Sequence, residues 1–305
     1  MHIAIMGTGG TGGYFGGLLA RAGEDVTCIA RGAHLDAIRA YGLTVKSVQG
    51  GEYTLRVEAT DDPSTVAQVD VVLFCVKTYD TEAAAQRIRP LVGPDTMVLS
   101  VQNGIDSPAH LARVVGPKAV LGAAAYVSAI IESPGVIAYS GGEGRLVVGE
   151  LDGGASPRTA HLRATFERAG IQVVLHPAIR VALWEKFITI CGLSGMTALL
   201  RLPAGAILAC PASRALYQQA LEEVETVARA HGINVSADIV ERSIPKFPGR
   251  YGSMYYDLVA GRRLELEALH GTVVHLAQGL GIPVPVNAVI YAALQPYAAG
   301  APTLP

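Results

Sequence analysis

The apolar positions of this chain follow two different rhythms, one in each half. In the first half, short apolar runs alternate with segments of helical spacing. His2 to Met6 is a strand-like run, Tyr14 to Ala22 has helical spacing, Asp25 to Ala30 returns to strand and His34 to Ala40 to helix. Val69 to Val76 reads VDVVLFCV, the continuous apolar run that a strand covered on both faces requires. Thr81 to Arg89 is helical again and Thr96 to Val101 strand-like. This β-α-β-α order predicts a parallel, doubly wound sheet. Leu43 to Val48 and Glu52 to Ala59 flank Gly50-Gly51 and read as an inserted hairpin. Ala119 to Ile131, Val136 to Tyr139 and Arg145 to Val148 are separated by Ser133-Pro134-Gly135 and Gly141-Gly142, which predicts antiparallel strands at one edge. Ser156 to Ala169 reads as a helix and Ile171 to Leu175 as a last strand.

After His176-Pro177 the strand rhythm stops. Ile179 to Leu200, Pro211 to His231, Met254 to Ala260, Glu265 to Leu280 and Val286 to Ala299 all read as helices. In the fourth, Leu266, Leu269, Val273, Leu276 and Leu280 form one apolar stripe. The expected fold class is α/β, an N-terminal doubly wound sheet over 1–177 followed by a C-terminal all-helical domain over 178–305.

Composition narrows the function. The 305 residues suit two domains of roughly 150 each, able to bury a core without metal or disulfide support. Lys plus Arg is 24 against 26 Asp plus Glu, so no general basic field invites nucleic acid or an anionic membrane. The N-terminus lacks the pattern of a signal peptide. The longest apolar stretch, Val181 to Leu200, carries Glu185 and Lys186, which a membrane span would not hold idly. A soluble, cytoplasmic protein is expected. Cys28, Cys75, Cys191 and Cys210 are scattered and the histidines form no ligand motif, so no metal site is expected.

Gly7-Thr8-Gly9-Gly10-Thr11-Gly12 is G-x-G-x-x-G, after the first strand and opening the first helix. In that context the glycines allow a tight turn and close approach of the backbone to a pyrophosphate, which meets the free N–H groups of the helix end. All six residues are candidate cofactor-binding positions. Sites selective for NAD place a carboxylate about 20 residues further on, at the end of the second strand. Here Cys28-Ile29-Ala30 runs into Arg31, nineteen residues after Gly12, and a guanidinium suits a 2′-phosphate. The dinucleotide expected is NADPH; an ordinary solvated arginine is the other reading of Arg31. Lys77 and Asn103 each follow the carboxyl end of a parallel strand, the edge where such sheets bind ligands, although turn chemistry also accounts for Asn103-Gly104.

Lysine is scarce, five against nineteen arginines. Lys186 lies in Leu183-Trp184-Glu185-Lys186-Phe187-Ile188, beside the only tryptophan. Lysine, unlike arginine, is tuned by its surroundings toward neutral pH and can serve as a general acid. The competing reading is a snorkelling lysine paired with Glu185. Glu265 reads either as a functional carboxylate or as a first-turn acid on the helix it opens, and Ser253 either as a ligand group or as an N-cap.

Together these residues resemble the ketopantoate reductase (2-dehydropantoate 2-reductase) family. The resemblance rests on the glycine motif, Arg31, Val76-Lys77-Thr78, Gln102-Asn103-Gly104-Ile105-Asp106, Leu183-Trp184-Glu185-Lys186-Phe187, Ser253-Met254-Tyr255-Tyr256-Asp257 and Glu265. It implies a Rossmann-like N-terminal domain, a helical substrate and dimerisation domain, and a homodimeric enzyme of pantothenate synthesis. It further implies that Lys186 gives a proton to the alkoxide formed as NADPH reduces a small-molecule 2-oxo acid, with Glu265 holding the lysine or the new hydroxyl. By the same resemblance Asn103 lies near nicotinamide and substrate, Lys77 touches the cofactor, and Ser253 binds the substrate's polar end. Two positions depart from the family pattern. Where asparagines stand four and eight residues after the lysine, this chain has Ile190 and Ser194. Ser194 stays a candidate substrate-binding residue, whereas Ile190 keeps open a more apolar oxo acid. A non-catalytic NADP(H)-binding sensor is the alternative of another class, and retention of both Lys186 and Glu265 argues against it.

Overall fold

The computed structural model describes residues 1–48 and 50–302. It divides into two compact units, Met1–Gln102 with Asp106–Ile179, and Asn103–Ile105 with Arg180–Pro305.

The first unit is built on a ten-stranded mixed sheet. In chain order it contains β1 (His2–Met6), α1 (Gly10–Arg21), β2 (Asp25–Ile29), α2 (Gly32–Tyr41), β3 (Leu43–Ser47), β4 (Gly51–Leu55), β5 (Glu58–Thr60), β6 (Val69–Phe74), α3 (Thr81–Arg87) and β7 (Val92–Ser100). α4 (Ser107–Val115), β8 (Val120–Ser133), β9 (Val136–Glu150), α5 (Pro157–Arg168) and β10 (Gln172–Leu175) complete it. The strand order is β4-β3-β9-β8-β7-β6-β1-β2-β5, with β10 alongside β9. From β8 through β7, β6, β1 and β2 to β5 every pairing is parallel. Alternate residues of these strands feed two cores. Ile3, Ile5, Val71, Leu73 and Leu99 face one, and Ala4, Met6, Val72, Phe74 and Val98 the other. A strand apolar at every position is the consequence of cover on both faces.

Three expectations are corrected here. The segment Glu52 to Ala59 is not one hairpin arm: β4 pairs antiparallel with β3, while β5 leaves to lie parallel to β2. Val136 to Tyr139 and Arg145 to Val148 are one strand, β9, because Gly141 and Gly142 take φ of 135° and 93° inside a register slip. They make a bulge where a turn was expected. β8 and β9 do pair antiparallel, as expected, but they are not the edge of the sheet, since β3 and β4 lie beyond β9. The helix α4 was not read from the pattern at all; its buried positions are Ser107, Pro108 and Leu111, too few to mark a stripe.

Close packing on the strands explains the glycines of α1. Gly12 and Gly16 lie on β1, where a Cβ would meet Ile5 at 2.9 and 3.0 Å. Gly13 and Gly17 lie on the other side, where a Cβ would come within 2.6 Å of Ile137 and of Val45. At Gly10 a Cβ would fall on the Ala129 carbonyl oxygen of β8. The helix is pressed between strands on two sides.

The second unit holds α6 (Ile179–Leu200), α7 (Ala204–Ala209), α8 (Pro211–Ala230), α9 (Ile239–Arg242), α10 (Ser253–Val259), a π-helical turn at Glu267–Gly271, α11 (Thr272–Leu280) and α12 (Pro285–Leu294). α6 is long and apolar enough to cross a membrane, yet most of it is buried inside the protein, as befits a core helix apolar all round. The helix expected over Glu265 to Leu280 begins later. Glu265 lies in non-helical chain and the π turn precedes α11. The wider turn shifts the phase of the stripe: Leu266, Leu269 and Val273 are buried, but Ala277 takes the next inward place and Leu280 is exposed.

Candidate active site

The turn after β1 is fixed from within. Gly7 has φ of 93°, and its N–H and that of Thr8 both donate to the Ile29 carbonyl, at 3.1 and 3.0 Å. The buried Thr8 hydroxyl also turns inward, donating to Ile29 O at 3.2 Å. Thr8 therefore braces the turn and offers no side chain outward. Gly9 is the N-cap of α1, with no side-chain cap, and a Cβ there would meet nothing within 4 Å. The first N–H groups of α1, at Gly10, Thr11 and Gly12, have no acceptor within the helix and point out of its end. Of the four glycines, Gly9 leaves outer space free, whereas Gly10 and Gly12 are required by packing inside the chain.

Arg31 sits just past β2 as the N-cap residue of α2, and its side chain is exposed. Its guanidinium donates to Asp80 Oδ2 at 2.8 Å. Asp80 ends the short turn that follows β6, and Lys77 opens that turn. Gln102, at the end of β7, braces it: the amide donates to Val76 O and to Thr81 Oγ1, both at 2.9 Å. Sequence reading named neither Asp80 nor Gln102 as a partner here. Nothing in local spacing ties Asp80 to Arg31, because the two meet only through the order β6-β1-β2.

In the second unit the adjacent charges on α6 part company. Glu185 accepts from the Ser236 N–H at 2.9 Å, the Ser236 hydroxyl at 2.7 Å and Arg242 at 3.2 Å. Lys186 is buried at 8% exposure and feels the charge of Glu265, itself only 5% exposed. Burial pushes the Lys186 ammonium down to about 8, and the attraction of Glu265 opposes that fall. At neutral pH such a lysine still holds its proton about nine-tenths of the time and releases it readily. The local pairing of Lys186 with Glu185 is thus replaced by a long-range neighbour.

Lys186, Ile190 and Ser194 follow one another at i, i+4, i+8 along α6 and share a face. Gly252 lies against the far end of that stripe: a Cβ there would come within 2.6 Å of Ser194 Oγ, and its N–H donates to Thr197 Oγ1 at 3.0 Å. Ser253 follows Gly252 in the chain and opens α10. Gly252, not Ser253, is the N-cap of α10. Asn103 and Gly104 group with this unit. A Cβ at Gly104 would lie 2.9 Å from Ala268 O, in the π turn that follows Glu265. His270, on the same turn, is buried, and the Asn287 amide fixes its tautomer. Asn287 Nδ2 donates to Ala220 O and Glu223, so Oδ1 accepts from His270 Nδ1 at 2.9 Å. Burial lowers His270 to about 4, against the opposing pull of its hydrogen bonds to Asn287 and to the Cys191 backbone. Neither His270 nor Glu223 stood out in the sequence, because an isolated histidine and an acid within a helix carry no spacing signal.

Comparison with known proteins adds four findings. Residues 3–153 match the family model described as ketopantoate reductase PanE/ApbA, and residues 178–298 match its C-terminal companion. A 2-dehydropantoate 2-reductase of Halobacterium salinarum is 35% identical, over 94% of this chain and 95% of that protein. The crystal structure of a PanE/ApbA family ketopantoate reductase from Ralstonia eutropha JMP134 superposes with a TM-score of 0.90 at 35% identity, covering 98% of both chains. A D-mandelate dehydrogenase solved with NADH and anilino(oxo)acetate also reaches 0.90, at 22% identity over 98% of both chains, and shares the fold.

Proposed function

Because the chain belongs to the ketopantoate reductase PanE/ApbA family, we propose that it reduces a 2-oxo acid to the 2-hydroxy acid with NADPH, 2-dehydropantoate being the first substrate in line. Its curated relatives are oxidoreductases that act on a CH–OH group. The first unit would take a dinucleotide at the glycine turn: open space beside Gly9 and the first N–H groups of Gly10, Thr11 and Gly12 support a pyrophosphate there, with Arg31 and Lys77 at the neighbouring strand ends. Bound there, NADPH would supply the hydride.

The observation that carries the reading is the buried Lys186 within the electrostatic reach of the buried Glu265. As C2 of the oxo acid becomes tetrahedral, its oxygen gains negative charge, and the Lys186 ammonium gives that oxygen a proton. This lowers the barrier because the charge is absent from the bound oxo acid and develops as the transition state is approached. Glu265 keeps the lysine protonated despite its burial. Ser253 and Ser194 would bind the polar end of the substrate, and Asn103 would orient it. A sensor without turnover has no use for a proton donor tuned in this way. Ile190 favours a second substrate within the same chemistry, an oxo acid with an apolar chain, since it offers no hydrogen bond one turn beyond the lysine. In this reading the enzyme is cytoplasmic and homodimeric.

The test is loss of NADPH absorbance with 2-dehydropantoate and a panel of apolar 2-oxo acids. Wild-type protein should turn over at least one of them, and Lys186→Ala should lose about 10²- to 10⁴-fold in kcat while still binding NADPH. Binding without turnover on the whole panel would sink the enzyme reading. Preference for an apolar acid would move the substrate to the second reading.

A further inference from the structure

The ion pair between Arg31 and Asp80 bears on which dinucleotide the first unit selects. It lies at the carboxyl ends of β2 and β6, beside the phosphate turn. The carboxylate that an NAD-selective site carries at the end of β2 is missing from the sequence there, and the fold delivers one from another loop. Asp80 is placed firmly. Its N–H donates to Lys77 O at 2.9 Å, Thr81 Oγ1 closes the same turn onto Thr78 O at 2.7 Å, and Gln102 braces both ends of the loop. Although Asp80 occupies the N-cap position of α3, its carboxylate makes no capping hydrogen bond and reaches instead to Arg31 at 2.8 Å.

Two opposed consequences follow from that geometry. A 2′-phosphate needs Arg31 as its cation, yet would have to share it with a carboxylate held at hydrogen-bond distance, and the two anions repel. A ribose bearing only a 2′-hydroxyl has no such conflict, since a carboxylate is the acceptor it requires. Arg31 therefore favours one dinucleotide and Asp80 the other. Building on the dinucleotide reading of the first unit, we propose that Asp80 is a specificity-determining residue that narrows the preference for NADPH over NADH by competing with the 2′-phosphate for Arg31.

The experiment measures binding by calorimetry, using adenosine 2′,5′-bisphosphate and 5′-AMP on wild type, Asp80→Asn and Arg31→Ala. Asp80→Asn keeps the shape and removes the charge. It should raise affinity for the bisphosphate by about three- to fivefold, the scale of an exposed ion pair, without raising that for 5′-AMP. The same ratio should move when kcat/KM is compared for NADPH and NADH. Arg31→Ala should abolish the advantage of the bisphosphate. An unchanged ratio in Asp80→Asn overturns the proposal while leaving the dinucleotide reading intact. If neither nucleotide binds wild type, the dinucleotide reading fails and this proposal fails with it.

Discussion

Glu185 and Lys186 are neighbours in sequence with opposite environments. One carboxylate is satisfied by Ser236 and Arg242 near the surface, whereas the lysine beside it is buried with a distant acid as its electrostatic neighbour. Successive residues on a helix point about 100° apart, so a charge pair adjacent in sequence is seldom a pair in space. The two influences on Lys186 have opposite signs: burial lowers it, Glu265 raises it, and the balance is about 8. Reduction needs the ammonium, so its rate should fall as pH rises through about 8. Oxidation of the hydroxy acid needs the neutral amine and should rise over the same interval. Glu265→Gln leaves burial unopposed, and the falling limb of kcat for reduction should shift to lower pH, with kcat at pH 7 affected more than KM. Profiles of kcat against pH in both directions decide the matter. A limb that stays in place would mean that the proton donor does not sense Glu265.

The elements show which parts of a motif serve a ligand and which serve the fold. The glycine turn is equally legible at all its positions, but the structure separates them. Gly10 packs onto β8 and Gly13 and Gly17 onto β9 and β3, so much of the glycine content of α1 answers to helix–strand contact. Only Gly9 combines open space with the helix end. Gly9→Ala should therefore fold with a loss within about 1 kcal/mol, the cost of a poorer N-cap. Its methyl group would nevertheless stand in the way of a pyrophosphate, and NADPH affinity should fall at least about tenfold, a loss of about 1.4 kcal/mol. Gly10→Ala must displace the Ala129 backbone and should cost about 1–3 kcal/mol of stability. Urea unfolding and NADPH fluorescence titration on both variants separate the two roles. Normal nucleotide binding by Gly9→Ala would remove that turn from the cofactor site.

At the scale of the molecule, what the sequence discloses follows from how local the cause is. The parallel strands were legible because cover on both faces makes them apolar throughout, and α6 and α8 because they are long. The departure of β5, the bulge in β9 and the π turn before α11 depend on pairings between distant segments, and no local pattern records them. The site divides the same way: Lys186 and the glycine turn are marked by residue type and position, Glu265 only by the family resemblance, whereas Asp80 and His270 matter only through what they meet. Two of the buried groups contribute to the dependence of stability on pH, and their signs agree. His270 titrates near 6.5 in the unfolded chain and at about 4 in the folded one. Between those values only the unfolded chain binds the proton, so stability climbs as pH rises from about 4 to 6.5. Lys186, at about 8 folded and 10.5 unfolded, gives a second climb over that higher interval. Each is worth about 3 kcal/mol across its window. His270→Gln keeps a hydrogen-bonding side chain but removes the titration. Between pH 5 and 6 its unfolding free energy should depend on pH less steeply than wild type by about one proton, or about 1.4 kcal/mol per pH unit. Carboxylates held low by ion pairs, such as Glu150 with Arg158, titrate in both proteins and cancel in the difference. Equal slopes in urea melts of the two proteins would place the His270 proton back near its ordinary value, and the buried link from the π turn to α12 would then have to open to water.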